Sequence, residues 1–487
     1  MTKKLIDLLL FTIPVQTVGT TDWEISGVTS DSRKVTESCI FVAIKGFSSD
    51  GHSYITQAIE GGARVVVCEK LPDVLKENVT YLLVTDSSAA FGHISCSFYD
   101  FPSQKLQLVG VTGTNGKTTT CTLLFDLFTE LGYKCGLIST VENRILKQKI
   151  VSTHTTPDAA GLNFLLNEMV NADCNFVFME VSSHAIHQQR IAGIRFAGGI
   201  FTNISHDHLD YHKTFAEYIA VKKKFFDDLP AAAFALSNID DKRGEVMLQN
   251  TAAKKFTYSL KRDANFKAKV IENSFDGLHF EINNLEIYAR LIGIFNIYNL
   301  TAAFAASQIL GADSSETLRI LSKLQAAEGR FELVFNKKNT IYGIIDYAHT
   351  PDALENVLQT IREVQKGGGN IITIIGCGGN RDRAKRPIMA KIASNYSHQV
   401  IFTSDNPRDE NPDEIIHEME FGVPLDEKYK VLSIENRLQA IKVATRLARR
   451  GDVILVAGKG HEKYQIIKNQ VLPFDDKLVL EEEFKEI

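Results

Sequence analysis

The stretch Val109-Gly-Val-Thr-Gly-Thr-Asn-Gly-Lys-Thr-Thr119 decides how this chain of 487 residues folds. The apolar run 106–111 reads as a buried strand. A helical pattern follows through Leu123, Leu124, Leu127 and Leu131 and stops at Gly132. A glycine-rich turn between a strand and a helix can wrap backbone N–H groups around phosphate oxygens, and the helix N-terminus adds partial positive charge. Lys117 is then placed to reach the β- and γ-phosphates, with the Thr118 hydroxyl on Mg²⁺. Val111 stands where the usual spacing has its first glycine, and Gly110 lies one residue earlier. A plain glycine turn with a surface lysine is the competing reading. The strand–turn–helix setting and the Gly-Lys-Thr-Thr order favour a nucleoside triphosphate site.

Outward from this loop, strand-like runs at 176–181, 199–203 and 233–237 alternate with helical stretches, which predicts a parallel sheet covered by helices. Upstream, short strand-like runs such as 39–44 and 64–68 sit among glycine turns. Beyond Phe331 the alternation resumes, with strands expected at 341–345, 371–375, 400–403 and 453–456 and helices at 352–364 and 437–449. The expected class is α/β in three domains, spanning 1–100, 101–330 and 331–487. A chain this long exceeds one ordinary core.

The apolar fraction of 44% and charged fraction of 23% are those of a water-soluble globular protein, and a net charge of −5 argues against a general nucleic-acid binder. The seven cysteines (39, 68, 96, 121, 135, 174, 377) are scattered and never spaced as Cys-x-x-Cys, which suits a reducing cytosol rather than a disulfide framework or zinc ribbon. The N-terminal apolar run is broken by Asp7 and lacks a cleavage site, so a short amphipathic helix is expected there. No segment approaches the roughly 18 apolar residues that span a bilayer. A cytoplasmic protein with no membrane or nucleic-acid partner is expected.

Several polar clusters end apolar runs, where open α/β sheets bind ligands. Glu180, closing 176–180, is a natural magnesium ligand near a phosphate loop. Residues 206–212, His-Asp-His-Leu-Asp-Tyr-His, hold three histidines and two aspartates. No cysteine accompanies them and a phosphate loop lies upstream, so magnesium fits better than zinc. His206 and His212 read as hydrogen-bonded loop residues, and Lys223 and Lys224 as a solvated basic face.

Taken in order, the motifs 113–119, 154–158 (His-Thr-Thr-Pro-Asp), 180–184, 207–212, 346–351 (Asp-Tyr-Ala-His-Thr-Pro), 376–382, 405–408 (Asp-Asn-Pro-Arg) and 458–462 (Gly-Lys-Gly-His-Glu) resemble those of the Mur ligases. These are ATP-dependent amide-forming enzymes of peptidoglycan synthesis. The resemblance runs from about Ser30 to Glu462 and points to the member that adds the third residue of the stem peptide.

That resemblance implies a division of labour among the domains. A small N-terminal α/β domain would hold the UDP group, a central P-loop domain would bind ATP, and a C-terminal Rossmann-like domain would bind the amino acid. By the same resemblance, ATP would meet Gly113, Thr114, Asn115, Gly116, Lys117, Thr118, Thr119, Arg330 and Asp346. Asn296 and Asn299 would include the adenine reader, though either could be a helix cap. UDP-MurNAc-L-Ala-D-Glu would be held by Ser30, Ser32, Phe47, Ser48, Ser49, His154, Thr155, Thr156, Ser182, Gln188 and Arg190. Meso-diaminopimelate would meet Arg381, Asp405, Asn406, Pro407, Arg408, Gly458 and Glu462. The family implies Lys117, Glu180, His208 and Lys222 as catalytic residues. It also implies Thr118, Glu180, His208 and a carbamylated Lys222 as Mg²⁺ ligands, and the chain is expected to act as a monomer. Alternatives are a lysine-adding ligase of the same step, a folylpolyglutamate synthetase-like enzyme, and a catalytically silent nucleotide-binding protein.

Overall fold

The computed structural model describes residues 2–46, 49–152, 155–205, 207, 211–365 and 368–487. Among the described residues three large sheets follow one another along the chain, beside two two-stranded pairs, one of them Lys3–Lys4 with Glu24–Ile25. The first has five strands in the spatial order Gln16–Val18, Thr80–Leu83, Ala63–Cys68, Cys39–Val42 and Gly27–Thr29. Only the Gln16–Val18 edge runs antiparallel. Helices Ile55–Glu60 and Ser87–Phe98 cover it. The N-terminal helix is a single turn, Leu5–Leu8, which buries Leu5 and Leu8.

The second sheet has eleven strands. Its seven middle strands are parallel, from Cys135–Ile138 through Phe176–Glu180, Gln107–Thr112, Gly198–Phe201, Phe234–Asn238 and Lys254–Ser259 to Phe266–Ser274. Those at its centre are near-continuous apolar runs because both faces are covered. The edges differ from a purely parallel sheet. Strands Glu142–Ile145 and Gln148–Val151 add antiparallel at one end, and Gly277–Ile282 and Leu285–Ala289 at the other. The second hairpin turns through Asn283 and Asn284, at φ 50° and 64°, the left-handed pair a two-residue hairpin needs. The strand before the phosphate loop, Gln107–Thr112, lies between Phe176–Glu180 and Gly198–Phe201. Chain entering on either side of it opens a crevice at its C-terminal end.

The third sheet has the order Glu332–Asn336, Ile341–Asp346, Val453–Ala457, Ile371–Ile375, Gln399–Phe402 and Val431–Ser433, parallel apart from the first strand. Helices Pro351–Gln365, Lys385–Tyr396 and Arg437–Leu447 pack on it. A separate hairpin, Tyr464–Ile467 with Gln470–Pro473, leans over its C-terminal edge. All seven cysteines are buried free thiols. Among the described residues no helix is long and apolar enough to cross a membrane.

Candidate active site

The phosphate loop follows from two glycines. Gly113 has φ 152° and Gly116 φ 87°. A Cβ at 113 would lie 1.9 Å from Thr202 Oγ1, and one at 116 would lie 2.6 Å from Asn299 Oδ1. Gly116 is the N-cap of the helix Lys117–Glu130 and supplies no side-chain cap, so the first-turn amides face the loop's concavity. Thr114 N donates to Asn203 O (2.8 Å) and Asn115 N to Asn203 Oδ1 (3.0 Å), pinning the loop to the neighbouring strand end. Lys117 Nζ bridges the carbonyls of Gly113 and Thr114 at 3.0 and 2.8 Å. Thr119 is buried in the first turn.

Thr118 and Glu180 meet here. Thr118 Oγ1 donates to Glu180 Oε1 at 2.9 Å, and the same carboxylate accepts from Thr140 N (2.7 Å) and Thr140 Oγ1 (3.1 Å). Arg330, at the boundary between the central and third segments, donates to Thr118 Oγ1 at 3.3 Å while its guanidinium lies over the Tyr347 ring. Asp346 accepts from Phe331 N and Ala348 N, both at 2.7 Å, and burial pushes its carboxyl up to about 6 despite the Arg330 charge. Asn299 is buried against the loop's back, accepting from Thr120 Oγ1 (3.3 Å) and donating to Asn296 Oδ1 (3.0 Å).

Lys222 is 1% exposed. Its amine donates to Gly113 O at 2.9 Å and lies over the Tyr218 ring. Burial, with Lys117 as a second cation, holds it well below the usual ammonium value, and Asp207 opposes this only in part. Burial at this position thus favours the neutral amine over the ammonium. His206 and His208, like Phe47, Ser48 and His154, lie outside the described residues.

The expected dipeptide residues converge beside Glu180. Thr156 Oγ1 donates to Glu180 O (2.8 Å), Ser182 N donates to Thr156 Oγ1 (3.3 Å), and Thr155 accepts from Thr140 Oγ1 (3.1 Å). Ser182 caps the helix Ser183–His187 through Ala185 N. Arg190 donates to Thr156 O at 2.8 Å and twice to Gln188 Oε1, which holds its guanidinium flat against this wall. Ser30 and Ser32 sit apart, past the end of Gly27–Thr29, where Ser32 Oγ donates to Gln57 Oε1 (2.9 Å). Ser49 O accepts from Gly46 N in the turn after Cys39–Val42.

At the C-terminal edge of the third sheet, Arg381 and Arg408 flank Gly378. A Cβ there would be 2.9 Å from Arg408 Nη1 and 3.6 Å from Arg381 Cγ. Arg408 has φ 51°, and its Nη1 donates to Gly379 O at 2.9 Å. The hairpin holds its backbone: Arg408 N donates to Ile466 O and Lys468 N to Arg408 O. Asp405, Asn406 and buried Pro407 line the same edge, together with Gly458 (φ 110°) and Glu462. Asn406 Nδ2 donates to Glu462 Oε2 at 2.7 Å. Burial first, then the nearby Asp405 charge, pushes the Glu462 carboxyl up. The Arg408 guanidinium and the Arg381 stem thus lie against Gly378, along the edge that also carries Asp405 and Glu462.

Three contributors lie outside the residues expected from the sequence. Thr140 holds Glu180; its signal is only a threonine after the strand Cys135–Ile138. Asp352 accepts from Asn115 Nδ2 (2.9 Å) and Ser205 Oγ (2.8 Å), tying the phosphate loop to the helix Pro351–Gln365. Lys459 sits within the 458–462 motif, fully buried.

Family models match in tandem: "Mur ligase family, catalytic domain" over 24–99, "Mur ligase middle domain" over 111–307 and "Mur ligase, glutamate ligase domain" over 329–460. The chain is 56% identical over 477 residues to the UDP-N-acetylmuramoyl-L-alanyl-D-glutamate–2,6-diaminopimelate ligase of Cytophaga hutchinsonii, covering 98% of both chains. It is 54% identical to the enzyme of the same name from Phocaeicola vulgatus, covering 96% of each. A solved structure of a ligase so named superimposes with a TM-score of 0.70 at 30% identity, covering 100% of this chain and 99% of that one.

Proposed function

Because the chain belongs to the Mur ligase family, we propose that it uses ATP to join meso-2,6-diaminopimelate to the D-glutamate of UDP-MurNAc-L-Ala-D-Glu. The observation that carries the amino-acid assignment is the paired Arg381 and Arg408 around Gly378, opposite Asp405 and Glu462. Diaminopimelate ends in both a carboxylate and an ammonium. Lysine ends in an ammonium alone and would leave the two guanidiniums without an anion. The three sheets are read as three domains divided near residues 100 and 330, and the reaction is assigned to the cytoplasm, where ATP and UDP-linked precursors are available.

The γ-carboxylate of D-glutamate attacks the γ-phosphorus of ATP, and the bond to the β–γ bridging oxygen breaks to release ADP. The incoming amine attacks the acyl phosphate carbonyl. A tetrahedral intermediate collapses with loss of phosphate and, from nitrogen, a proton. Both steps gather negative charge, so the residues act by positioning and neutralisation. The first-turn amides of Lys117–Glu130 and the Lys117 side chain cradle the β- and γ-phosphates. Arg330, fixed on Tyr347, adds a guanidinium at the same oxygens. Arg190, locked by Gln188 and Thr156 O, receives a substrate carboxylate next to Ser182.

The Thr118 hydroxyl and Glu180 carboxylate are hard oxygen donors in contact, a set that suits Mg²⁺. A bound ion there would offset triphosphate charge. As an ammonium Lys222 cannot hold Mg²⁺, and as an amine it offers nitrogen rather than the oxygen this ion prefers. Its neutral nitrogen can instead add to CO₂, forming an N–C bond and losing one proton to give an anionic carbamate.

An amino-acid panel tests the assignment. Enzyme, ATP and UDP-MurNAc-L-Ala-D-Glu, each with one amino acid, should yield a product mass increased by diaminopimelate less water. A preference for L-lysine in direct competition would overturn it.

A further inference from the structure

The strand Val453–Ala457 runs through Gly458 into a loop whose first long side chain turns inward. Lys459 is 0% exposed. Its Nζ lies 3.5 Å from Asp405 Oδ1 and 3.3 Å from Glu462 Oε2, and donates to Asn406 Oδ1 at 3.2 Å. Asn406 Oδ1 also accepts from Ile466 N at 2.9 Å, so the hairpin is tied to the same centre. Three separate segments thus meet on one buried amine: 405–408, 458–462 and 464–467. A buried cation with a single partner is costly, whereas this one has two carboxylates and an amide oxygen.

We propose that Lys459 is a positioning residue of the amino-acid pocket, a fixed internal counter-ion that cancels one of its two carboxylates and leaves a single negative charge for the substrate's distal ammonium. With both acids and the amine ionised, the trio Asp405, Glu462 and Lys459 has a net charge of one negative. Arg408 and Arg381 then meet the neighbouring carboxylate. Without Lys459 the largely buried Asp405 and Glu462 carboxylates lose the cation between them. Glu462, already pushed up by burial and by Asp405, would take a proton and lose its hold on an ammonium.

The other groups facing the pair do not substitute for Lys459. Arg437 is engaged by Asp476 at 2.7 Å. Tyr347 and Tyr464 are pushed up by burial and stay neutral, and His461 is held down to about 4 and is neutral above it. Arg408 spends its Nη1 on Gly379 O.

This role for Lys459 rests on the reading of the edge as the diaminopimelate site. The test measures KM for diaminopimelate and for ATP, and kcat, from pH 6 to 9 in the full-length wild type, Lys459→Met and Lys459→Arg. Losing a charge-assisted contact at the ammonium's partner predicts a KM for diaminopimelate raised about 10- to 100-fold in Lys459→Met. That KM should fall as pH rises and Glu462 regains its charge, while kcat and KM for ATP stay near wild type. Lys459→Arg keeps the charge and should keep a flat pH profile even if its KM rises from poorer fit. A wild-type KM in Lys459→Met, or equal losses for diaminopimelate and ATP, overturns the proposal. Should Lys459→Met lack a cooperative melting transition, the Lys459→Arg profile decides, and a sloped profile overturns it. A wild type that ligates a different amino acid refutes the substrate assignment alone, and the same profiles are then read on that amino acid.

Discussion

Replacing Arg408 by alanine separates recognition of the amino acid from everything upstream of it. The guanidinium bonds to the carbonyls of Gly379 (2.9 Å) and Asn406 (3.5 Å) on a half-buried edge, so truncation should cost about 1 kcal/mol of stability or less. The φ of 51° is no easier for alanine than for arginine, and the backbone bonds to Ile466 and Lys468 do not involve the side chain. On the proposed reading of this edge, what is lost is a charge-assisted contact to the distal carboxylate of diaminopimelate, worth about 1.5–3 kcal/mol. That corresponds to a rise of about 10- to 150-fold in KM for diaminopimelate. Steady-state phosphate release, titrated separately in ATP and in diaminopimelate, reads both constants. KM for ATP should stay within about threefold, because Arg408 lies on a different sheet edge from Thr118 and Lys117. Arg408→Gly provides the internal control. It relieves the left-handed strain of about 1–2 kcal/mol, so it should melt higher than Arg408→Ala with the same defect toward diaminopimelate. An unchanged KM for diaminopimelate in both variants, or a matching loss toward ATP, would refute the reasoning.

Lys117→Ala should abolish ATP turnover while melting near wild type, since the side chain contributes two bonds to loop carbonyls; residual turnover above a few per cent by a folded variant contradicts the phosphate-loop role. Lys222→Ala should be inactive and partly restored by added acetate or formate, and intact-mass spectra of wild type in bicarbonate should carry one added CO₂ that the variant lacks. A wild type active in rigorously CO₂-free buffer at full rate would exclude the carbamate. Asp346, pushed up from 3.8 to about 6, stabilises the fold in its protonated form. That contribution is complete below pH 3.8 and lost as pH rises through about 6. The melting temperature of wild type relative to Asp346→Asn should therefore decline across that window, and a flat difference would show that burial does not perturb this carboxyl.

The central sheet's middle strands were legible because a strand buried on both faces is an unbroken apolar run, as in Phe176–Glu180 and Gly198–Phe201. Its antiparallel edges were less visible. Leu285–Ala289 buries only Ile287 and Ala289, and Gln148–Val151 buries none fully, so neither carries a strong apolar signal. The glycine turn at Gly113 and Gly116 was legible through local backbone demands, with glycine where a side chain would collide. Asp352 did not, because its bond to Asn115 joins residues 237 positions apart, and nothing in the local pattern of Pro351–Gln365 distinguishes it from an ordinary first-turn acid. Lys459 stayed hidden for a related reason. A lysine between two glycines reads as solvent-exposed until the fold brings Asp405 and Glu462 to it.

The cysteines give each part of the chain its own built-in reporter. Cys39, Cys68 and Cys96 belong to the first sheet and its cover, Cys121, Cys135 and Cys174 to the second, and Cys377 to the third. Burial pushes the Cys68 and Cys174 thiols up to about 11 and those of Cys96, Cys135 and Cys377 up to about 12, so in the closed protein none of these five offers an appreciable thiolate to an alkylating reagent. Labelling then requires opening. Pulsed alkylation followed by peptide mapping would resolve opening of the three units separately in one untagged, unmutated sample, and binding of each substrate would register as slower labelling in the unit that holds it.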